Sequence, residues 1–122
     1  MVHGILDRKV FFANQVIFRE GDVADRAYLI QEGLVEIRKQ MEDSYEDRRV
    51  AQVHPGELFG EMAMIDDQPR MATAVAIEKT VCVVVPMDKF HEKMAHADPF
   101  LAALLRMFTK HIRVLQVKLN RT

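Results

Sequence analysis

One change of hydrophobic period constrains this chain more than any other feature. Up to about residue 87 the apolar residues come in short β-prone runs between turn signals, and from residue 88 they recur every three or four positions. The first pattern asks for a sheet structure closed by many turns, the second for helices laid against it. Residues 10–12 and 16–18 flank Ala13-Asn14-Gln15, where Asn14 tolerates the left-handed backbone of a tight connection. Residues 27–30 and 34–37 are the next strand candidates, joined through Gln31-Glu32-Gly33 with Gly33 at positive φ. Gly21-Asp22 and Pro55-Gly56 are further turn signals, and residues 73–77 and 81–85 add two β-prone segments. Val35 and Ile37 alternate with Glu36 and Arg38, as in a sheet with one wet face. Residues 39–49 place Glu42, Asp43, Glu46 and Asp47 beside Lys39, Arg48 and Arg49, which predicts a solvated hairpin tip.

In the helical part, Asp88 is the expected N-cap of a short helix over 89–97. Asp98-Pro99 starts a second helix over Pro99–Asn120, with Asp98 as N-cap and Pro99 at the first helical position. Leu101, Leu104, Leu105, Phe108, Ile112, Leu115 and Leu119 form one apolar stripe on it, widened by Met107, Val114 and Val117. Two uses stay open for that stripe: covering the sheets, or meeting a second copy or an effector domain with its outer part.

The length of 122 residues gives room for one domain, a β-rich body over about 8–87 followed by C-terminal helices over about 88–120. Seventeen basic and eighteen acidic residues leave a net charge of -1, so no overall field draws the chain to nucleic acid. These 122 residues hold no helix-turn-helix after the long helix, so direct nucleic-acid binding by this stretch itself is not expected. No apolar run here reaches membrane-spanning length, and residues 5–8 and Asn14-Gln15 interrupt the apolar opening, so it is not expected to act as a signal peptide. Cys82 stands alone and cannot form an internal disulfide. The expected setting is the cytoplasm, or the cytoplasmic part of a larger protein.

Residues 56–73 hold the most informative chemistry. Residues 61–65 suit a one-turn helix between Gly60 and an Asp-Asp-Gln-Pro exit. Gly60 permits close approach to the backbone, and amides at the start of such a helix can receive an anion. Arg70, opening the strand that follows, offers a planar fork for paired bonds to a phosphate. Glu61 would repel a phosphate but can accept hydrogen bonds from a sugar hydroxyl beside it. On composition and spacing alone, Glu61 and Arg70 read first as a surface ion pair.

The surrounding residues extend the pattern. Phe18-Arg19-Glu20-Gly21-Asp22, Asp25, Tyr28-Leu29-Ile30, Glu32-Gly33 and Val35-Glu36-Ile37 resemble the first half of the cyclic-nucleotide-binding domain family, as in catabolite-activator-like proteins and the regulatory domains of cyclic-nucleotide-gated channels. Gly56, residues 59–65 and residues 69–75 resemble that family's phosphate-binding cassette in order and spacing. The resemblance implies a β-rich α+β fold: a double-stranded β-helix, or jelly-roll-like β-roll, with a short phosphate-binding helix and C-terminal helices. It also implies a non-enzymatic sensor of cAMP, with cGMP possible, that regulates a partner or an attached effector domain and needs no other cofactor. Glu61 would then bind the ribose 2′-hydroxyl and Arg70 the cyclic phosphate. Amides near Ala63 and Ala72 would complete the phosphate site, Gly60 would let the cassette curl around the sugar, and Met62 and Met71 would flank the ligand. Asp25 aligns with the acidic residue that orients the cassette arginine.

Met71 stands where cGMP-selective members often carry threonine, which favours cAMP. Arg106, Lys110 and Arg113 are all open as the residue that the last helix lays over the base. Two rival readings accompany the sensor. A degenerate roll would serve only as an interaction module, and a metal-dependent β-barrel enzyme would need several barrel-borne histidines. His3, His54, His91, His96 and His111 do not have that spacing. Cys82, between Val81 and Val83, reads as a buried thiol and not a nucleophile.

Overall fold

The computed structural model describes residues 7–40 and 47–120. Its strands are β1 (Arg8–Phe11), β2 (Val16–Phe18), β3 (Arg26–Glu32), β4 (Val35–Gln40), β5 (Asp47–Val53), β6 (Leu58–Phe59), β7 (Thr73–Ala76) and β8 (Thr80–Pro86). Three helices complete it: α1 (Met62–Asp66) between β6 and β7, then α2 (Met87–Ala95) and α3 (Pro99–Asn120). The strands form two antiparallel four-stranded sheets, ordered β1-β8-β3-β6 and β2-β7-β4-β5. This is the expected β-roll with a short helix and C-terminal helices.

Alternation along the strands sends Phe11, Tyr28, Ile30, Val35, Phe59, Cys82 and Val84 between the sheets, where they form the core with Ala74 and Ala76. Burying each large side chain of this kind is worth about 1.5–3 kcal/mol. Tyr28 links the aromatic part, stacked on Phe59 at 5.1 Å and edge-on to Phe11 at 5.9 Å. Cys82 is fully buried, and burial pushes its thiol up to about 11. A thiol so protonated is a packing group, as its apolar neighbours implied.

Turn chemistry holds the registers. Asn14 takes φ 71°, and the β1–β2 turn is closed by Gln15 N donating to the Phe12 carbonyl at 3.0 Å. Gly33, at φ 108°, has no room for a side chain: a Cβ there would lie 2.4 Å from Thr80 Oγ1. That closeness lets Thr80, buried at the start of β8, donate to the Glu78 carbonyl at 2.9 Å and accept from Leu34 N at 3.2 Å.

Four expectations change. The charged stretch is largely strand, with Lys39 paired to Arg48 and Gln40 to Asp47, while Glu42, Asp43 and Glu46 lie outside the described residues. Long charged side chains lie comfortably on the wet face of a ladder, so polarity alone did not mark the strand's end. The short helix starts at Met87 and not at Lys89. Pro86 is the N-cap, with extended backbone at φ -65° and ψ 155°, and Asp88 sits in the first turn with its carboxylate on Lys89 N at 2.9 Å. Arg70 does not open β7, which begins at Thr73; it precedes the strand in an irregular segment.

The fourth change concerns α3. It begins as expected, with Asp98 accepting from Phe100 N at 2.8 Å. Its docked face, however, consists of the buried Ala102 and Thr109 and the half-buried Leu104 and Arg113. Leu101, Leu105, Phe108, Ile112 and Leu115 face outward, Phe108 at 52% and Leu115 at 57% exposure, and the Leu119 side chain is outside the described set. Small side chains let the helix axis approach the body closely, which turns the large ones away.

Candidate functional site

Arg70 organises the site. It is 5% exposed, and its neighbours fix it at every level. Its backbone pairs with the Gly21-Asp22 turn, Gly21 N donating to the Arg70 carbonyl at 2.8 Å and Arg70 N to the Asp22 carbonyl at 2.9 Å. Its guanidinium lies over the Phe18 ring at 4.1 Å from the centroid. Nη1 donates to the Gly60 carbonyl at 2.6 Å and Nη2 to the Arg26 carbonyl at 2.5 Å. Nε is buried and has no hydrogen-bond partner among the described residues. Burial lowers its pKa from the usual arginine value, against the pull of Tyr28, Asp25 and Asp22; arginine stays charged under any such shift.

Gly60 owes its identity to this arrangement. It takes φ 80°, and a Cβ would lie 2.7 Å from Arg70 Nη1 and 3.2 Å from Phe18 Cε2. Immediately after it, Glu61 is the N-cap of α1, its carbonyl accepting from Met64 N at 3.1 Å and Ile65 N at 3.2 Å. The intrahelical bonds therefore start at Met64, and the Met62 and Ala63 amides have no bond to spend within α1. Burial raises the Glu61 carboxyl above the ordinary glutamate value, opposed by a backbone hydrogen bond and by Arg70. Glu61 and Arg70 do not form an ion pair, surface or otherwise, because Arg70 turns inward to two carbonyls.

Asp25 is placed differently from its expected role. Its carboxylate takes both Arg26 Nε and Nη2 at 3.0 Å, and that guanidinium holds its pKa below the usual carboxylate range. Arg70 contributes to that lowering only as a nearby charge. The adjacent arginine reaches the exposed carboxylate from outside, while Arg70 is drawn under Gly60 and onto Phe18. Carbonyls and an aromatic face, not Asp25, orient Arg70 here.

These residues open onto a cavity of about 290 Å³. Phe18, Gly60, Glu61, Met62, Ala63, Arg70, Met71 and Ala72 line one side of it. Ile37 from β4, Ala51 and Val53 from β5, and Leu58 from β6 line the rest, with Arg113 reaching in from α3. The expected site residues other than Asp25 thus share one cavity. Sequence reasoning missed the apolar wall, because Ala51 and Val53 belong to the strand hidden in the charged stretch. Met71 is held by its backbone, Lys39 Nζ donating to its carbonyl at 2.7 Å. Arg113 donates from Nε to Asp66 Oδ2 and from Nη2 to Oδ1, the latter at 3.1 Å. Among the described residues no three His, Cys, Asp or Glu side chains gather as a metal-binding group. His91 instead sets Nε2 3.2 Å from the Met64 carbonyl.

A deep guanidinium, unspent helix amides, a half-buried carboxylate and an apolar wall can hold a small molecule with an anionic group, a hydroxyl and an apolar ring system. Comparison with known proteins bears on what that molecule is. The family profile described as "Cyclic nucleotide-binding domain" matches residues 8–97. The cAMP-dependent protein kinase regulatory subunit of Dictyostelium discoideum is 32% identical over 104 residues, covering 84% of this chain and 32% of that protein. The cAMP-bound form of the EAL enzyme Bd1971 superposes with a TM-score of 0.85 at 33% identity, over 92% of this chain and 29% of that one. Its cGMP-bound form gives 0.82 at 34% identity, over 88% and 28%. The chain thus spans about a third of the length of these relatives.

Proposed function

The chain belongs to the cyclic-nucleotide-binding domain family, and from that premise we propose that its cavity holds a cyclic nucleotide, cAMP first, which the protein senses and does not transform. One observation carries the reading: Arg70 is buried beside the cavity with no carboxylate bonded to it among the described residues. A buried charge costs several kcal/mol unless paired, and an apolar side chain of similar volume is often as stable or more so. A guanidinium kept there at such cost suits an anion that binds and leaves. The same cost argues against a roll kept only for interactions.

In this reading Arg70 and the Met62 and Ala63 amides take the cyclic phosphate, with Ala72 beside them. Glu61 accepts from the ribose 2′-hydroxyl. The base lies along Ile37, Ala51, Val53 and Leu58, with Met71 and Arg113 at its edge; of the three basic candidates on α3, Arg113 is the one lining the cavity. The EAL enzyme Bd1971 has cAMP-bound and cGMP-bound forms, and cGMP belongs with cAMP as a ligand class here. We read residues 1–122 as one domain, the roll over about 8–87 and the helices over about 88–120, and its regulated output as an attached or partner effector. A reducing cytoplasmic setting suits the single thiol. No helix among the described residues is long and apolar enough to cross a membrane.

For α3 we propose pairing with a second copy. Leu101, Leu105, Phe108, Ile112 and Leu115 are spaced four, three, four and three apart, the step of a two-stranded coiled-coil seam, and all five are exposed. Sedimentation would show a dimer that Phe108→Glu dissociates; a monomer at all concentrations would leave the seam to an effector domain. The binding reading is tested by calorimetry with cAMP in the presence of a chelator, together with a turnover assay. Stoichiometric binding without hydrolysis is expected. Folded protein that gives no heat at high micromolar cAMP would end the proposal.

A further inference from the structure

We infer that Asp66 is a positioning residue that fixes the Arg113 guanidinium at the rim of the cavity and so sets how firmly the base end of a ligand is held. This rests on the cavity being a cyclic-nucleotide site. Asp66 is the last residue of α1, and its carboxylate takes the Nε–Nη2 edge of Arg113. Both side chains are about four-fifths buried, at 22% and 20% exposure, so the pair is shielded from the screening that makes exposed pairs weak. The docked edge is Nε and Nη2, and Nη1 makes no hydrogen bond among the described residues. A planar cation held this way suits an aromatic base.

The two arginines of the cavity sit at opposite ends of α1: Arg70 is bonded at Gly60, just before it, and Arg113 at Asp66, its last residue. Between them lie the N-cap Glu61 and the five helical residues Met62–Asp66, which rise by about 7.5 Å. A ligand with its phosphate on Arg70 therefore presents its other end toward Arg113. No residue of α3 is acidic, and among the described residues the carboxylate bonded to Arg113 is that of Asp66. Asp66 Oδ1 also accepts from Gln68 N at 3.2 Å. Asp66→Asn can keep that bond through its amide oxygen while losing the charge, which separates orienting Arg113 from shaping the cassette exit.

The experiment is calorimetry on the full chain with cAMP and with a cyclic ribose phosphate that lacks the base, melting temperatures confirming folded protein. Asp66→Asn and Arg113→Ala should each weaken cAMP about three- to tenfold, the scale of a cation over an aromatic ring. The double variant should bind no more weakly than Arg113→Ala, Asp66→Glu should recover most of the affinity, and the base-less probe should not distinguish any variant from wild type. Undiminished cAMP binding by Asp66→Asn would overturn the inference, as would additive losses in the double variant. Equal loss for both probes would overturn it too, placing Asp66 in the cassette fold and not at the base. If folded wild type binds neither probe, the nucleotide reading itself fails first.

Discussion

Replacing Arg70 by methionine should separate binding from folding. The loss side is two charge-assisted hydrogen bonds, to the Gly60 and Arg26 carbonyls, and the stacking on Phe18. At about 1.5–3 kcal/mol per bond and about 1–2 for the cation over the ring, that is about 4–8 kcal/mol. The gain side removes a cation buried at a penalty of several kcal/mol and an unsatisfied Nε worth about 1–3 kcal/mol. Methionine keeps most of the volume and adapts its shape. The two sides nearly cancel, so the free protein should change stability by no more than about 2 kcal/mol, within the margin of an ordinary domain. Binding has no such offset: the phosphate loses its fork, at about 2–4 kcal/mol, or roughly 30- to 1,000-fold in Kd. Urea unfolding without ligand and cAMP calorimetry read the two quantities separately. A folded Arg70→Met protein with wild-type affinity would refute the phosphate role. One that cannot fold would show that the guanidinium serves the Gly60 and Arg26 carbonyls more than any ligand.

Other outcomes follow from the same geometry. Glu61→Ala should cost about 1–3 kcal/mol of cAMP binding and erase discrimination against the 2′-deoxy analogue, read by competition. Because burial raises the Glu61 carboxyl, cAMP affinity should fall on acidification at a higher pH than an ordinary glutamate would give, and Glu61→Gln should remove that limb. The sign for the free protein is opposite: with the folded pKa raised, the Glu61 contribution to stability is present below the unfolded value and lost as pH rises through the folded one. Gly60→Ala should cost about 1–3 kcal/mol for its left-handed backbone, and its Cβ must push Arg70 Nη1 aside, so melting temperature and cAMP affinity should drop together. With Met71 lacking a hydroxyl, cAMP should outcompete cGMP by less than about tenfold. On adding cAMP, hydrogen exchange should change in residues 60–73 and beyond residue 86 but little at residues 35–37; a response confined to residues 60–73 would defeat a switch through the helices.

The parts of the site that were legible in the sequence are those whose chemistry is local. Gly60, Glu61 and Arg70 stand close along the chain, and it was the resemblance of residues 56–75 to the family's cassette, more than their spacing, that marked them out. Asn14, Gly33 and Asp98-Pro99 announced their turns and cap by the backbone states they permit. What stayed hidden depends on neighbours distant in sequence. Asp25 has an equally plausible partner one residue away, and only the path of Arg70 beneath Gly60 decides between them. The apolar wall required knowing that β5 runs through Arg48 and Arg49 to reach Val53. Helical period located the stripe on α3 correctly but could not say which side would dock, because Ala102 and Thr109 carry little signal in a hydrophobicity pattern.

The outward row of Leu101, Leu105, Phe108, Ile112 and Leu115 on α3 gives the proposed pairing a consequence for ligand binding: the response would depend on how much protein is in the tube. If two copies meet along that row, and the same helix contributes Arg113 to the cavity, then association and occupancy are linked equilibria, each shifting the other by the same factor. Titrations at nanomolar and at high micromolar protein would then trace different isotherms with unchanged contacts in the cavity. Crowding two copies on one scaffold would act as a second effector.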